Sequence, residues 1–170
     1  DFMLNYCINK NINFIFPCFS GEIEIFSSNY KKFEAIGVKM LISSPEVINL
    51  CNNKLKSKDR INKLGIMTPK LYSYPTKDKL PLFTKFIQGS SSNGAFLIKN
   101  DLLLKNSLME KDNRVFEEYI DGEEYTVDII CDSNSDLLVA SPRTRISTKG
   151  GQTVVGQITK NERLVELSKI

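Results

Sequence analysis

Two short apolar runs with a helical stripe between them most constrain the fold. Residues 12–16 (INFIF) are almost continuously apolar and stop at Pro17. Such a run suits a strand buried on both faces. Ile23, Phe26, Tyr30 and Phe33 follow at spacings of three, four and three. That spacing is one face of a helix, with Gly37 as its expected stop. Residues 38–42 (VKMLI) supply a second strand. Strand, helix and strand with short joints predict a parallel α/β unit. Ser44-Pro45 then offers an N-cap with proline at the first helical position, and a helix through Leu50.

The rest of the chain predicts a mixed α+β arrangement. Residues 54–64 read as a helix, with Leu55, Ile61 and Leu64 inward and Gly65 as stop; Pro69 bars continuation. Residues 82–87 (LFTKFI) alternate, so Phe83, Lys85 and Ile87 share one side of a strand. Residues 88–94 (QGSSSNG) form a polar loop and residues 95–98 a short strand. Asn100 is positioned to cap a helix reaching about Met109. Strands are expected at residues 115–120, 125–131 and 137–146, the last two flanking a turn at residues 132–136 (DSNSD). Gly150-Gly151 predicts a mobile loop, and residues 161–170 begin a helix.

Composition narrows the chemistry. The 170 residues contain no His and four Cys. A Ser-His-Asp triad, a Cys-His protease and a His-ligated zinc site are therefore excluded. No two cysteines form a C-x-x-C pair, so Cys7, Cys18, Cys51 and Cys131 are expected to be reduced, mostly buried thiols of a cytoplasmic protein. The net charge is +3 without a basic run, which predicts no nucleic-acid partner. No apolar run approaches the ~18–20 residues that span a membrane.

Lys85 followed by Gly89, Ser90, Ser91, Ser92, Asn93 and Gly94 is the most informative string. Glycines let a backbone approach a phosphate closely, hydroxyls and amides donate to its oxygens, and the ammonium adds a point charge. The string is not G-x-x-x-x-G-K-[ST], because Lys precedes the loop. Taken alone, it serves equally as a polar hairpin tip with a surface lysine. Residues 116–128 (FEEYIDGEEYTVD) carry two acidic clusters, at Glu117 and Glu124, which alone are compatible with an exposed charged segment.

The ordered set is more specific. Residues 51–54 (CNNK), 63–69 (KLGIMTP), Lys85 with its loop, EEYIDGEEYTVD and residues 142–146 (PRTRI) together resemble the ATP-grasp superfamily. The likeness is strongest to the branch of the carbamoyl-phosphate synthase large subunit. INFIFP and the helix after it resemble the end of that family's pre-grasp domain. The resemblance implies a partial ATP-grasp fold. Residues 1–45 would be the C-terminal part of a Rossmann-like pre-grasp domain and 46–70 a helical connection. Residues 71–118 would be the lid subdomain, and 119–170 the start of the C-terminal, catalytic subdomain, with both chain ends being cut ends.

The resemblance also implies roles. Lys54 and Lys85 would contact ATP phosphates. Gly89, Ser90, Ser91, Ser92 and Gly94 would close over the β- and γ-phosphates. Glu117, Glu118, Tyr119 and Ile120 would meet adenine, and Glu124 the ribose hydroxyls. Arg143 and Arg145 would stand at the phosphate and acyl-phosphate region, where an always-protonated planar fork suits developing charge. The implied reaction activates a small carboxylate through an acyl phosphate that an amine or another nucleophile attacks. Mg²⁺ is implied too, its ligands expected beyond residue 170. Glu162, Glu166 and Asp128 read as helix or strand residues, so no metal ligand is assigned. The 170-residue chain alone is accordingly expected not to turn over ATP. A non-catalytic nucleotide-binding module of the same fold is the alternative. Three departures bear on it: Asn53 stands where Asp is usual, Phe86 where Pro is usual, and Gln88 where a basic residue is common.

Overall fold

A computed structural model describes residues 1–170 except Ser90, Ser91 and Ser133. The chain divides into two units, Asp1–Ser57 and Lys58–Ile170.

In the first unit, β1 (Phe14–Ile15) and β2 (Lys39–Met40) pair in parallel, as the strand–helix–strand pattern predicts. The strands are shorter than the apolar runs that contain them. Cys7, Phe33, Val38 and Met40 form the core, joined by Phe26, Tyr30 and Ile15. The helix between the strands is two helices, α2 (Ser20–Ser28) and α3 (Tyr30–Glu34), which corrects the single helix expected there. The break falls at Asn29, whose Nδ2 donates to Ile25 O at 2.9 Å. The short Asn29 side chain competes for a helix carbonyl and so favours a break there. A helix that the sequence did not announce, α1 (Phe2–Asn9), carries Cys7 into the core. The other three cysteines are exposed, so the expectation of mostly buried thiols fails.

Helix α4 (Pro45–Asn52) starts as expected, with Ser44 Oγ accepting from Val47 N. Next comes α5 (Lys54–Lys63). Asn53 Oδ1 accepts from Leu55 N and Lys56 N at 3.1 and 3.0 Å, so the departure from Asp preserves the N-cap without the charge. The inward stripe of α5 differs from expectation. Leu55 and Ile61 are exposed, while Lys58, on the same stripe, is 9% exposed.

In the second unit, β3 (Leu82–Phe86) is central, between β4 (Phe96–Ile98) and β5 (Arg114–Glu118), both antiparallel to it. Its two faces differ. Leu82 packs with Ile98, Leu104 and Phe116, covered by α6 (Asp101–Leu108), which Asn100 caps as predicted. Thr84 shares that face and donates to Val115 O. The opposite face carries Phe83 and Lys85, with Glu117 directly across from Phe83. Residues 70–72 run beside β5: Tyr72 N donates to Phe116 O and Glu118 N to Lys70 O.

A second sheet joins β6 (Tyr125–Cys131), β7 (Leu137–Lys149) and β8 (Gln152–Ile158) in antiparallel order. Strand β8 was not expected; Gly150-Gly151, where a mobile loop was expected, is the two-residue turn between β7 and β8. Positive φ at both glycines, 56° and 75°, explains why residues without a Cβ stand there. Helix α7 (Glu162–Leu167) ends the described structure, its cap supplied by Asn161. Among the described residues no helix is long and apolar enough to cross a membrane.

Candidate functional site

Three charged residues meet on the Lys85 face of the first sheet. Strand β3 delivers Lys85 and strand β5 delivers Glu117. They are not directly opposed: Val115 is opposite Lys85, and Glu117 lies two residues further on. Diagonal neighbours of this kind are within reach of a long side chain. Lys85 Nζ lies 2.7 Å from Glu117 Oε2. Lys58 Nζ, from α5, lies 3.8 Å from Glu117 Oε1. The Glu117 and Lys58 side chains are 7% and 10% exposed, whereas Lys85 is 29% exposed.

The electrostatics are unequal. Lys85 makes a short, charge-assisted contact. At 3.8 Å Lys58 feels the same carboxylate but is too far for a hydrogen bond. Its buried Nζ has no hydrogen-bond partner among the described residues. A shielded ammonium without one is costly. Two cations around one anion leave the cluster with a net charge of +1, suited to receiving a polyanion. Lys58 was missed in the sequence, although it follows Lys54 by one helical turn and falls on the Leu55–Ile61 stripe.

The loop follows β3 in the chain, three residues after Lys85. Gly89 has φ +125°, Ser92 +55° and Gly94 +66°. Gly94 abuts the Phe86 ring, which a Cβ would overlap. Arg114 fixes the returning end, its Nη1 donating to Gly94 O at 2.8 Å. Phe86, the second departure, packs its ring 4.1 Å from the Arg114 guanidinium. Ser90 and Ser91 lie outside the described residues.

The remaining candidates lie elsewhere. Lys54 opens α5 in the first unit. Glu118 accepts from Lys70 N at 2.8 Å, so its carboxylate ties residue 70 to β5. Tyr119 donates to Asp121, and Ile120 is exposed. Arg145 Nη1 pairs with Glu124 and its Nη2 donates to Gly151 O at 2.7 Å; its Nε is buried without a hydrogen-bond partner among the described residues. Arg143 Nε pairs with Asp128 at 2.6 Å. That bond holds the Asp128 carboxyl below its ordinary range and raises Arg143 above its own. Both arginines that were expected to face phosphate are thus held by carboxylates, Arg143 by Asp128 within the sheet and Arg145 by Glu124 just before β6.

These carboxylates do not fit a magnesium site. Asp128 and Glu124 are occupied by arginine, and Glu166 pairs with Lys169. No group of three or more candidate ligands converges among the described residues.

The sequence profile described as the ATP-grasp domain matches residues 51–168. No curated protein matches the chain. Among solved structures, Campylobacter jejuni biotin carboxylase in its β,γ-ATP complex aligns over 91% of this chain and 39% of its own, with TM-score 0.74 and 16% identity. The biotin carboxylase domain of Hydrogenobacter thermophilus 2-oxoglutarate carboxylase, bound to MgADP, ADP and bicarbonate, gives 0.72 at 17% identity, over 91% of this chain and 39% of its own. Bacillus anthracis D-alanine–D-alanine ligase complexed with ATP gives 0.66 at 22% identity, over 99% and 61%. At these identities the likeness is one of fold, and the chain spans about two fifths to three fifths of those proteins.

Proposed function

The chain belongs to the ATP-grasp family, and on that premise we propose that it is the ATP-binding part of an ATP-dependent carboxylate–amine ligase. The carrying observation is the cluster of Lys58, Glu117 and Lys85, on the strand that precedes the glycine-rich loop in the chain. A buried ammonium without a hydrogen-bond partner, a second ammonium on a short tether and a net positive charge are what a nucleotide's phosphates would complete.

In this reading, Lys85 exchanges the Glu117 carboxylate for phosphate oxygens, and Lys58 gains the hydrogen-bond acceptor it lacks among the described residues. Lys54 adds a third cation. Gly89, Ser90, Ser91, Ser92 and Gly94 donate to the terminal phosphates through amides and hydroxyls. Glu117 and the backbone from Glu118 through Tyr119 to Ile120 receive adenine, and Glu124 receives the ribose. Arg143 and Arg145 then leave Asp128 and Glu124 to meet the transferring phosphoryl group. Those pairs have carboxylates 58% and 66% exposed. Each exchange would replace one charge-assisted contact of the guanidinium by another. Phosphoryl transfer asks mainly for positioning and charge neutralisation, so a protein without histidine can perform it. The acceptor is a small carboxylate activated as its acyl phosphate. The motif strings further suggest kinship with the carbamoyl-phosphate synthase large subunit, and a cytoplasmic setting follows from use of the ATP pool. Magnesium would be needed with ATP, through ligands other than the carboxylates described.

A second reading, nucleotide binding without turnover, draws on both arginines being occupied already. Two measurements decide. Calorimetric titration with a non-hydrolysable ATP analogue tests binding, with Lys85→Ala as the control; no binding by the unsubstituted chain refutes both readings. Phosphate release with Mg-ATP and a panel of carboxylates tests turnover, and binding without release favours the second.

A further inference from the structure

The loop at residues 88–94 leaves and re-enters its sheet at points held by two consecutive residues. At the leaving end, Ile87 N donates to Asn113 O at 2.8 Å. At the returning end, Arg114 Nη1 donates to Gly94 O at 2.8 Å. The Arg114 side chain is only 7% exposed, and its Nε donates to Glu110 at 2.9 Å. Its guanidinium lies 4.1 Å from the Phe86 ring centre and 5.3 Å from that of Phe96. The Phe86 ring in turn occupies the space that a side chain at residue 94 would need.

We infer that Arg114 is a positioning residue for the phosphate-binding loop. It does not touch nucleotide; it sets where residues 88–94 return to the sheet. This rests on the nucleotide reading above. Holding the backbone at Ile87 and Gly94 in place leaves less freedom to be lost when a phosphate is bound, so more of the contact energy appears as affinity. The residue type follows from the geometry. A guanidinium stacks on aromatic faces while donating in its own plane in two directions, and an ammonium cannot do both. Glu110 is the outer partner, and its 54% exposure makes it dispensable.

The test compares AMP, ADP and ATP, each with Mg²⁺, by calorimetric titration of the full chain and of Arg114→Met, Arg114→Lys and Glu110→Gln. Met keeps apolar bulk between the rings but cannot donate to Gly94 O. The expected result is AMP affinity within about twofold of the parent in all variants. ATP should bind roughly tenfold more weakly in Arg114→Met, as for loss of one charge-assisted hydrogen bond, and Glu110→Gln should bind it like the parent. Equal loss for AMP and ATP in Arg114→Met assigns Arg114 to general stability and overturns the inference; unchanged ATP affinity overturns it too. Should circular dichroism show Arg114→Met unfolded, Arg114→Lys decides by the same AMP-against-ATP comparison. An unsubstituted chain that binds neither AMP nor ATP refutes the nucleotide reading itself.

Discussion

Lys85 Nζ stands 2.7 Å from Glu117 Oε2 across two paired strands, although the residues are diagonal rather than opposed. Sequence reasoning assigns the lysine to phosphate and the glutamate to adenine, as separate contacts. The fold makes them one ion pair, with Lys58 as an unequal third member. If the proposed reading holds, nucleotide affinity and the stability of this sheet depend on the same atoms.

Replacing Lys85 by Met should weaken ATP binding by at least about tenfold, the loss of one charged contact to phosphate. Glu117 keeps only the distant Lys58 in that variant, so a modest stability loss should accompany it. Calorimetric titration and urea unfolding measure the two effects separately. Unchanged ATP affinity would sever Lys85 from the phosphate role.

Glu117→Gln removes the one anion between two ammonium groups. Breaking a buried pair typically costs about 3–5 kcal/mol. Lys85 is partly exposed and screened, which argues for about 2–3 kcal/mol here. The urea midpoint reports it, and a shift no larger than that of an exposed-surface control would contradict the described burial.

Lys58→Met should behave in the opposite way. It removes a buried ammonium that lacks a hydrogen bond and leaves Lys85 and Glu117 balanced, so stability should stay within about 1 kcal/mol or rise. ATP binding should nonetheless weaken. A variant both less stable and unimpaired in binding would show Lys58 to be purely structural.

Two carboxylates should titrate unusually low. The hydrogen bond from Lys79 brings Asp78 to about 2, and the Arg143 bond lowers Asp128. Because the folded pKa lies below the unfolded one, each group's stabilising contribution is present above the ordinary carboxylate range. It is lost as pH falls through the depressed value, so for Asp78 the window runs from about 4 down to about 2. Carbon-detected NMR titration reads the midpoints. Lys79→Ala should return Asp78, and Arg143→Gln should return Asp128, towards the ordinary value.

Local chemistry made much of the fold legible. Ser44-Pro45 and Asn100 begin helices where the caps predict, because a cap works through neighbours three residues away. The parallel pairing of β1 with β2 followed from apolar runs around a helical stripe. Strand β8 was missed because residues 152–158 lack a clean alternation and depend on β7 for pairing. The site divided in the same way. Residue order and type identified Lys85, its loop and Glu117 as candidates, since motif spacing is a property of the chain. Which charge answers which was decided only by the tertiary structure. The β3–β5 register brings Lys85 to Glu117, α5 brings Lys58 to the same carboxylate, and β7 brings Arg143 and Arg145 to Asp128 and Glu124. Ion pairing depends on distances of a few ångströms between residues tens of positions apart, and spacing along the chain does not carry that information.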